Sequence, residues 1–399
     1  MRYSTIPFGN LLKEPIRNGL TKPKAIRGQG VKMIAMGEIF ANSRIGSINM
    51  DMVPVTDKEL KNCSIEEGDL LFARQSLALE GAGKCSVVTV VDEPTVFESH
   101  LIRARVDTSK ANPYFIYHYF NSYYGREHIK TIVEQVAAAG IRGSDLIRLN
   151  VPCPTLEEQK HIAEILNRFD DKIELNQKIT ENLERQAQVV FREHFFDFTK
   201  DNLPSEWEIT RLGDVATISK EIFNPAKEAE TLLEHYSIPA FDEMRFPAFE
   251  LSTSIKSNKF IVDADCFMIS KLNPTTKRVW RPYCISDKAV CSTEFIVYKA
   301  QEQQYTDFLY SLIDSEGFSD FMCSHVTGST GSRQRTTPSD TLQFEFGLPP
   351  AEEISAFTAI VRPMYQQIRV NAIENDRLKR LRDTLLPKLM AGEIEVLQK

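Results

Sequence analysis

The chain has 399 residues, of which 42% are hydrophobic, 26% charged and 10% aromatic. These values are ordinary for globular proteins, so they exclude a wholly disordered, collagen-like or coiled-coil chain. At about 100–200 residues per domain, the length predicts two to four domains. The 48 basic and 55 acidic residues give a net charge of −7. This charge excludes a protein that coats nucleic acid through bulk positive charge, but it allows local basic surfaces.

Membrane, secretory and metal-binding signals do not occur in the sequence. No apolar run approaches the roughly 18–20 residues that a membrane helix needs, and the first residues lack the apolar core of a secretory signal. The seven cysteines form no CxxC pair and are odd in number. We therefore expect a reduced, cytosolic chain without a structural zinc.

The chain contains an internal repeat. Residues 144–185 align without gaps on residues 339–380, and ten of the 42 positions are identical. Weaker matches lie upstream in each copy, and they are 8–11 with 212–215, 67–71 with 263–267, and 99–102 with 293–296. We interpret the repeat as a duplication of one globular and one helical portion. The predicted boundaries are 1–154, 155–198, 199–348 and 349–399.

The first helical portion begins with a capping pattern, because Thr155 stands three residues before Glu158. In the second copy, Pro363 would clash with the carbonyl four residues earlier. We therefore predict a break in each helical portion, with Asp170 as the cap after the first break. The predicted helices are 156–167 and 170–196 in the first copy, and 351–361 and 363–386 in the second, ending before Pro387.

The long helices carry a narrow apolar stripe with alternating spacings of three and four residues, which is typical of a coiled-coil contact. Its predicted helix-pairing positions are Phe169, Ile173, Asn176, Leu183, Met364, Ile368, Asn371 and Leu378. A lone helix would leave this stripe in water, so we predict that the two helices pack against each other as a rod. The two asparagines, at equivalent positions, would fix the register. The alternative is that each helix packs on its own globular portion.

Both globular portions show the patterns of mixed α/β domains. Strand-like runs occur at 86–91, 101–106, 260–270 and 294–298. Helical stretches follow them at 113–124 and 304–323.

Basic residues are concentrated in three segments. Residues 1–56 hold eight Lys or Arg against three acids, and residues 269–283 and 328–338 hold basic residues and no acid. Arg can contact guanine, Asn and Gln can contact adenine, and Ser, Thr and Lys can contact phosphates. The predicted DNA-contacting residues are Arg17, Asn18, Lys22, Lys24, Arg27, Arg74, Gln75 and Arg142 in the first half, and Lys271, Asn273, Thr276, Lys277, Arg278, Trp280, Arg281, Ser332, Arg333, Gln334 and Arg335 in the second. The alternative is that these segments are solvated surface loops.

No motif in the sequence predicts catalysis. Residues 78–85 resemble a phosphate-binding loop only superficially, because Ala78 replaces the first glycine and Cys85 replaces the hydroxyl that would hold magnesium. There is no HExxH motif, and no Asn-Pro-Pro-aromatic box of an amino-methyltransferase. We predict no catalytic residue, no metal site and no bound cofactor.

Taken together, these segments resemble a type I restriction–modification specificity subunit over essentially the whole chain. The strongest similarity lies in residues 151–159, followed by 162–165. The next is in 203–207, followed by 211–214, and then in 328–333, followed by 338–340. Residues 16–20 and 273–276 are also similar. The resemblance implies an α/β protein with two target-recognition domains of mixed α/β fold, separated by two long antiparallel coiled-coil helices in an internal pseudo-twofold repeat. Each domain would bind one half of a split target in double-stranded DNA.

The resemblance also implies that the chemistry lies on partner subunits. Two modification subunits would dock on the conserved helices, bind S-adenosylmethionine and methylate adenine. Motor–nuclease restriction subunits, with ATP and magnesium, are further expected partners. Two other functions stay open at this point: a two-domain protein-binding scaffold with incidental basic loops, and a stand-alone nuclease.

Overall fold

The computed structural model describes residues 3–135, 138–195, 203–227, 230–328 and 334–394. The chain divides into two compact units. The first unit consists of Met1–Ile173 with Leu378–Lys399, and the second consists of Glu174–Arg377. Each long helix contributes residues to both units, so this division crosses the predicted helical portions. The four-part division by function stays a prediction.

The first unit contains thirteen short strands and five short helices among its described residues. The strands β1–β13 are Thr5–Pro7, Arg17–Asn18, Val31–Ile34, Arg44–Ile45, Asp51–Val53, Leu70–Ala73, Gln75–Ser76, Cys85–Val88, Thr95–Phe97, Leu101–Ala104, Glu134–Gln135, Ala139–Gly140 and Asn150–Pro152. The helices α1–α5 are Met36–Ala41, Asp57–Cys63, Pro113–Asn121, Tyr123–Lys130 and Gly143–Leu146. The long helix α6, Leu156–Phe195, begins in this unit.

The second unit has a similar set of elements among its described residues. The strands β14–β26 are Glu208–Arg211, Ala216–Ser219, Ile222–Phe223, Leu232–Tyr236, Ala248–Leu251, Lys259–Ile261, Cys266–Ser270, Val279–Trp280, Ala289–Ser292, Phe295–Ala300, Val326–Thr327, Arg335–Thr336 and Glu345–Leu348. The helices α7–α11 are Leu212–Val215, Ile238–Met244, Thr306–Ile313, Glu316–Ser324 and Pro338–Thr341. The long helix α12 is Ala351–Ala391.

The two units repeat the same strand pairings. In the first unit β10 lies between β2 and β6 and is antiparallel to both, and in the second unit β23 lies in the same way between β15 and β20. Strand β3 pairs with antiparallel β5 and parallel β9, just as β17 pairs with antiparallel β18 and parallel β22. Such a mixed arrangement, found twice in the same order, confirms the internal repeat and the predicted mixed α/β fold.

A close backbone approach is also repeated, at Gly9 and Gly213. The amide of Gly9 donates to the carbonyl of Ile147 over 2.8 Å, and the amide of Gly213 donates to the carbonyl of Leu342 over 2.9 Å. A Cβ on either glycine would lie 3.1–3.2 Å from the side chain and carbonyl of that partner. The close approach of the partner residue therefore explains glycine at both positions. It also explains why glycine is shared in the weak sequence match of 8–11 with 212–215.

The helical stretches 113–124 and 304–323 each form two helices instead of one. The break falls at a serine in both units. The hydroxyl of Ser122 accepts from the amide of Gly125, and that of Ser315 accepts from the amide of Phe318. A serine in this position caps the start of a new helix, which is why both predicted helices end there and restart.

The long helices α6 and α12 are continuous, so the predicted breaks are wrong. Thr155 and Glu158 do form the predicted capping box, with hydrogen bonds of 2.9 and 3.2 Å to each other's backbone amides. However, α12 runs through Pro363 and Pro387. A proline inside a helix costs about 3 kcal/mol. Buried residues such as Val361 and Leu389 lie close to the two prolines, and this packing offsets the lost hydrogen bonds.

Within the second unit, α6 and α12 pack side by side in antiparallel directions. The side chain of Asn176 donates to Glu374 over 2.7 Å and to Asn375 over 2.9 Å. The side chain of Asn371 donates to Thr180 over 3.2 Å. Later residues of α6 thus contact earlier residues of α12, as in an antiparallel pair. This arrangement agrees with the predicted antiparallel helix pair and not with two helices that pack only on their own globular portions.

The predicted helix-pairing residues differ in how far they are buried. Ile173, Asn176 and Asn371 are buried. The half-buried members are Phe169, Leu183, Met364, Ile368 and Leu378.

Each unit has a hydrophobic core that includes residues from both long helices. In the first unit, Ile162 and Leu166 of α6 and Leu389 and Met390 of α12 are buried in the cluster that includes Phe120. In the second unit, the cluster contains residues of the sheet together with α6 and α12, namely Phe267, Tyr298, Ala187, Phe191, Ile354, Phe357 and Val361. Both helices are therefore part of the fold of each unit.

The described helices and the cysteines agree with the composition. No helix in the described ranges is long and apolar enough to cross a membrane. All seven cysteines are free thiols. Burial raises the pKa of Cys266 and of Cys284 to about 12, so both stay protonated near neutral pH.

A buried ion pair in the first unit leads to a prediction of stability. Arg382 of α12 donates to Asp170 of α6 over 2.6 Å, and the carboxylate is 6% exposed. Arg382→Ala leaves this buried carboxylate without its cation, so we expect the free energy of unfolding to fall by about 2–3 kcal/mol in a urea titration. Asp383→Ala is the control, because Asp383 pairs with the same arginine but its side chain is 61% exposed; here we expect less than about 0.5 kcal/mol. Equal losses in the two variants would contradict the assignment.

The buried histidine of α3 leads to a prediction of pH dependence. His118 hydrogen-bonds to Asn167 of α6 over 2.9 Å, and burial lowers the pKa of His118 to about 4. As the pH falls, the unfolded chain, in which the histidine has an ordinary pKa, binds the proton before the folded chain does. The contribution of neutral His118 to the free energy of unfolding is therefore complete above about pH 6.5 and is lost as the pH falls towards 4. Its full size is about 3 kcal/mol. We expect His118→Gln to flatten the fall of the unfolding midpoint between pH 7 and 4, whereas His161→Gln should not.

Candidate nucleic-acid interface

In the first unit, the residue that follows the central strand β6 presents an exposed cation. The backbone amide of Arg74 donates to the carbonyl of His100 over 2.8 Å, and the carbonyl of Arg74 accepts from the amide of Ile141 over 2.9 Å. These two hydrogen bonds fix the backbone of Arg74. Its side chain is exposed and makes no ion pair with any residue that the structure describes. A fixed backbone with a free cation is the arrangement expected of a residue that contacts an anionic partner.

The second unit has the same arrangement at Lys271, which follows β20. The amide of Lys271 donates to the carbonyl of Glu294 over 2.9 Å, and its carbonyl accepts from the amide of Thr336 over 3.1 Å. Its side chain is half-buried and, within the described ranges, forms no ion pair. Lys271 is thus the structural equivalent of Arg74. The sequence predicted both residues but did not reveal that they occupy one repeated position.

Next to each of these cations, a two-stranded hairpin pairs with the loop that follows the central strand. In the first unit Gln75 of β7 lies opposite Gly140 of β12. In the second unit Leu272 lies opposite Arg335 of β25. The hairpins are β11–β12 and β24–β25. The predicted residues Gln75 and Arg335 are therefore brought beside Arg74 and Lys271 respectively.

Several predicted cations of the first unit are paired with acids. The pairs are Lys22–Glu59 at 2.9 Å, Arg27–Asp51 at 2.9 Å and Arg142–Glu134 at 2.7 Å. Arg17, Asn18 and Lys24 are exposed, and none of them forms an ion pair with a described residue. Of these three pairs, Lys22–Glu59 brings a carboxylate from outside residues 1–56, whereas Arg27 pairs with an acid of the same segment.

The basic segment 269–283 of the second unit is also held by acids. Lys277 pairs with Asp314 at 2.8 Å, and Arg278 forms a two-bond contact with Asp242 at 2.6 and 2.8 Å. These acids come from other segments of the chain, which is why the segment looked acid-free in the sequence. The side chain of Lys277 is 40% exposed, and an exposed ion pair exchanges partners at little cost. The side chain of Arg278 is only 11% exposed, so its two-bond contact with Asp242 holds it more firmly.

Arg281 has a more structural role than the sequence suggested. It pairs with Asp307, which is 1% exposed and also accepts from Arg362 of α12 over 2.8 Å. Arg281 therefore supplies part of the positive charge that a buried carboxylate requires. This contact ties the basic segment to the long helix within the second unit.

A tight turn places three further predicted residues together. The amide of Asn273 donates to the carbonyl of Gln334 over 3.0 Å, and the amide of Thr276 donates to the carbonyl of Asn273 over 2.8 Å. Asn273 adopts a left-handed backbone, with φ of +48°, and its Oδ1 atom is buried with no hydrogen-bond partner among the residues that the structure describes. The turn thus lies against the hairpin beside Lys271.

Trp280 does not belong to a DNA-contacting surface. It is 4% exposed and packs edge-on against Tyr236 and Phe241, with ring centroids 4.7 and 5.3 Å away. The prediction for this residue is corrected, because its ring is part of the hydrophobic core. Ser332 and Arg333 lie outside the described residues.

Two residues of this surface, His100 and Glu294, were not predicted. The side-chain amide of Gln75 donates to Nδ1 of His100 over 2.7 Å. Arg335 donates to Glu294 through two hydrogen bonds of 3.0 and 3.1 Å, and this contact raises the pKa of Arg335. The weak sequence match of 99–102 with 293–296 aligns these two residues, so the repeat itself held the signal.

Comparison with known proteins agrees with this picture. Residues 15–185 match the family model described as the type I restriction modification DNA specificity domain. The type I restriction enzyme MjaIX specificity subunit of Methanocaldococcus jannaschii is 25% identical over 374 residues, which cover 86% of this chain and 82% of that protein. The putative MjaX specificity subunit of the same organism is 22% identical, over 96% of this chain and 92% of the relative.

A solved structure shares the fold. It is the S subunit of a type I restriction–modification system from M. genitalium, with a TM-score of 0.59. The alignment covers 100% of this chain and 97% of that chain at 15% sequence identity. This similarity supports the architecture alone.

The two α/β units each have a cation at the same position, and each includes residues of both long helices. These features are those of a protein with two recognition surfaces, and its sequence has no catalytic motif. The relatives that match most of its length are specificity subunits. Residues 15–185 match the specificity domain of type I restriction–modification proteins, and the chain is similar over most of its length to specificity subunits of such systems.

Proposed function

We propose that the chain is the DNA sequence-specificity subunit of a type I restriction–modification complex. It binds a bipartite DNA target and directs adenine methylation and restriction by partner subunits. The observation that carries the proposal is the equivalence of Arg74 and Lys271. Two copies of one surface, in a chain whose residues 15–185 match the type I DNA specificity domain, fit two separate contacts with one polymer. An isolated protein-binding scaffold would not need a cation at the same position in both units.

The DNA contacts that we propose are centred on these two positions. In the first unit they include Arg17, Asn18, Lys24, Arg74 and Gln75, and the paired cations Lys22, Arg27 and Arg142 lie in the same unit. In the second unit they include Lys271, Asn273, Thr276, Gln334 and Arg335, with Lys277 and Arg278 as further cations. Cations supply affinity through phosphates, and side chains that reach base edges supply specificity.

Exposed apolar residues on the long helices support the binding of partner subunits. Leu175 of α6 and Val370 of α12 occupy equivalent positions of the repeat, and each is 52% exposed. Exposed apolar side chains at repeated positions fit two copies of one partner. We propose that two modification subunits bind along these helices, and that S-adenosylmethionine, ATP and magnesium act on partner subunits in the cytoplasm. Motor–nuclease restriction subunits would complete the complex.

The central test removes the two equivalent cations. We expect Arg74→Ala and Lys271→Ala each to weaken binding of target DNA by the assembled modification complex at least about fivefold. If a side chain contacts a phosphate, the loss is uniform across sequences and the slope of log K against log salt falls by about one. If it contacts a base, one position of the methylated motif relaxes instead. Binding is measured by fluorescence anisotropy at several salt concentrations.

The controls are exposed lysines elsewhere in the same units. Lys110 follows β10, whereas His100 precedes it, and the Lys110 side chain is 50% exposed. Lys299 lies near the end of β23, and its side chain is 39% exposed. We expect Lys110→Ala and Lys299→Ala to change binding less than twofold, as is usual for surface cations outside an interface. Equal losses in all four variants would argue for general electrostatic attraction and against two built sites.

The second test concerns modularity. Exchange of residues 1–154 for the corresponding region of a relative should change one half of the methylated motif and leave the other half unchanged. The exchange has to keep the residues that pack on Leu166 and Leu389, because both helices form part of the core of this unit. The motif is determined by sequencing methylated bases. A change in both halves would contradict the proposal that each unit contacts its own half-site.

A further inference from the structure

The connection between β6 and β8, residues 74–84, carries the most exposed large apolar side chain that the structure describes. Leu77 is 99% exposed, and the next in order, Tyr123, is 69% exposed. Contact of an apolar side chain with water is unfavourable. A single exposed apolar residue is nevertheless common on protein surfaces, so the surroundings of Leu77 decide what it does. It stands three residues after Arg74, the cation on which the proposed function is centred.

The backbone on both sides of Leu77 is held in place. Ser76 of β7 lies opposite Ala139 of β12, and the hydroxyl of Ser76 accepts from the amide of Ala78 over 3.2 Å. This hydrogen bond closes a turn with Leu77 at its apex. Gly81 approaches the turn closely, because a Cβ at this position would lie 2.2 Å from the hydroxyl oxygen of Ser76. The leucine therefore projects from a structured turn.

Arg126 of α4 fixes the residues that follow the turn. Its guanidinium donates to three backbone carbonyls of the connection over 2.5, 3.3 and 3.0 Å, those of Glu80, Ala82 and Gly83. Glu80 is the only acid of residues 74–84, and its carboxylate interacts electrostatically with Arg126. The same segment contains the cations Arg74 and Lys84. The exposed leucine is therefore surrounded by net positive charge, as a contact with DNA requires.

The second unit has no leucine at the corresponding position. Counted from the equivalent cations Arg74 and Lys271, Leu77 corresponds to Pro274, and Pro274 is buried. The two threonines that follow it are exposed. An apolar contact is therefore expected from the first unit alone. A partner that binds both units in the same way, such as two copies of one modification subunit, does not explain it. The two halves of a split DNA target differ in sequence, and they do explain it.

We propose that Leu77 contacts the C5-methyl group of one thymine in the half-site of the first unit. This methyl group is the apolar feature by which the major groove distinguishes thymine, and apolar side chains bind against it. The Cα atoms of Leu77 and Arg74 are at most about 11 Å apart, because three residues span no more than this. Both side chains can thus contact one half-site. The inference rests on the proposed function and adds a residue that determines specificity.

The test uses the complete chain assembled with its modification subunits, and target DNA in which each thymidine is replaced in turn by deoxyuridine. This replacement removes only the C5-methyl group. In the parent complex, one replacement should weaken binding about fourfold, which corresponds to the burial of one methyl group. In Leu77→Ala the same replacement should change binding less than about 1.5-fold, because the methyl group has lost its partner. Binding is measured by fluorescence anisotropy.

Two further variants serve as controls. Leu77→Met keeps an apolar side chain of similar volume and should retain the effect of the methyl group. Val90→Ala should leave that effect unchanged, because Val90 is 46% exposed but follows the opposite end of β8. Since the Leu77 side chain is exposed, its removal disrupts little packing, and the urea midpoint of Leu77→Ala should equal that of the parent. The affected thymine should lie in the half of the motif that exchange of residues 1–154 changes.

The outcomes separate this inference from the proposed function. If the parent complex shows no sequence-specific binding, the proposed function fails. If the parent is specific but no deoxyuridine replacement has an effect that depends on Leu77, the thymine contact is wrong. It is also wrong if Leu77→Ala weakens binding of all sequences equally, because the leucine then packs on DNA without reading a base. If Leu77→Ala weakens assembly with the modification subunits and leaves DNA discrimination intact, the leucine is a protein contact and the inference is overturned.

Discussion

The constraint on which the structure depends is that each unit needs both long helices to close its core. In the first unit, Leu166 and Leu389 lie in one buried cluster although they are more than 200 residues apart in sequence. In the second unit, the rings of Phe191 and Phe357 are 5.8 Å apart. Apolar surface on one helix would stay in water without the other helix. The globular portions therefore cannot be understood as separate from the helices that follow them.

Buried polar contacts fix the direction and register of the helix pair. Asn176 and Asn371 are 1% and 2% exposed, and both find partners on the other helix. A shift of the register would leave these amides buried and unpaired, at a cost of about 1–3 kcal/mol each. Apolar contacts alone tolerate such shifts more easily. The sequence showed that both asparagines occupy the stripe, and the structure adds Glu374, Asn375 and Thr180 as their partners.

Electrostatic pairing decides which basic residues are available. The sequence identified basic segments correctly, but it could not show that acids from distant segments neutralise several of them. Arg281 illustrates this, because its partner Asp307 is buried and is also bound by Arg362. Trp280 illustrates the corresponding limit for apolar residues, since a tryptophan in a basic segment was assigned to the surface. Neither outcome could be known from local sequence, because both depend on contacts across the unit.

By itself, the sequence determined the repeat, the mixed α/β class and the capped start of α6, because each of these depends on spacing or on contacts within a few residues. It also predicted that the long helices pair, but their antiparallel direction was implied only by the resemblance, because the contacts that set it join residues far apart in the chain. It did not determine that the helices continue past Pro363, since the cost of a proline is local but the packing that offsets it comes from Val361 and its neighbours in the core. Only the tertiary structure showed that Arg74 and Lys271 are equivalent, and that His100 and Glu294 hold Gln75 and Arg335. These relations join strands that are far apart in the chain, and such contacts have no fixed spacing in sequence.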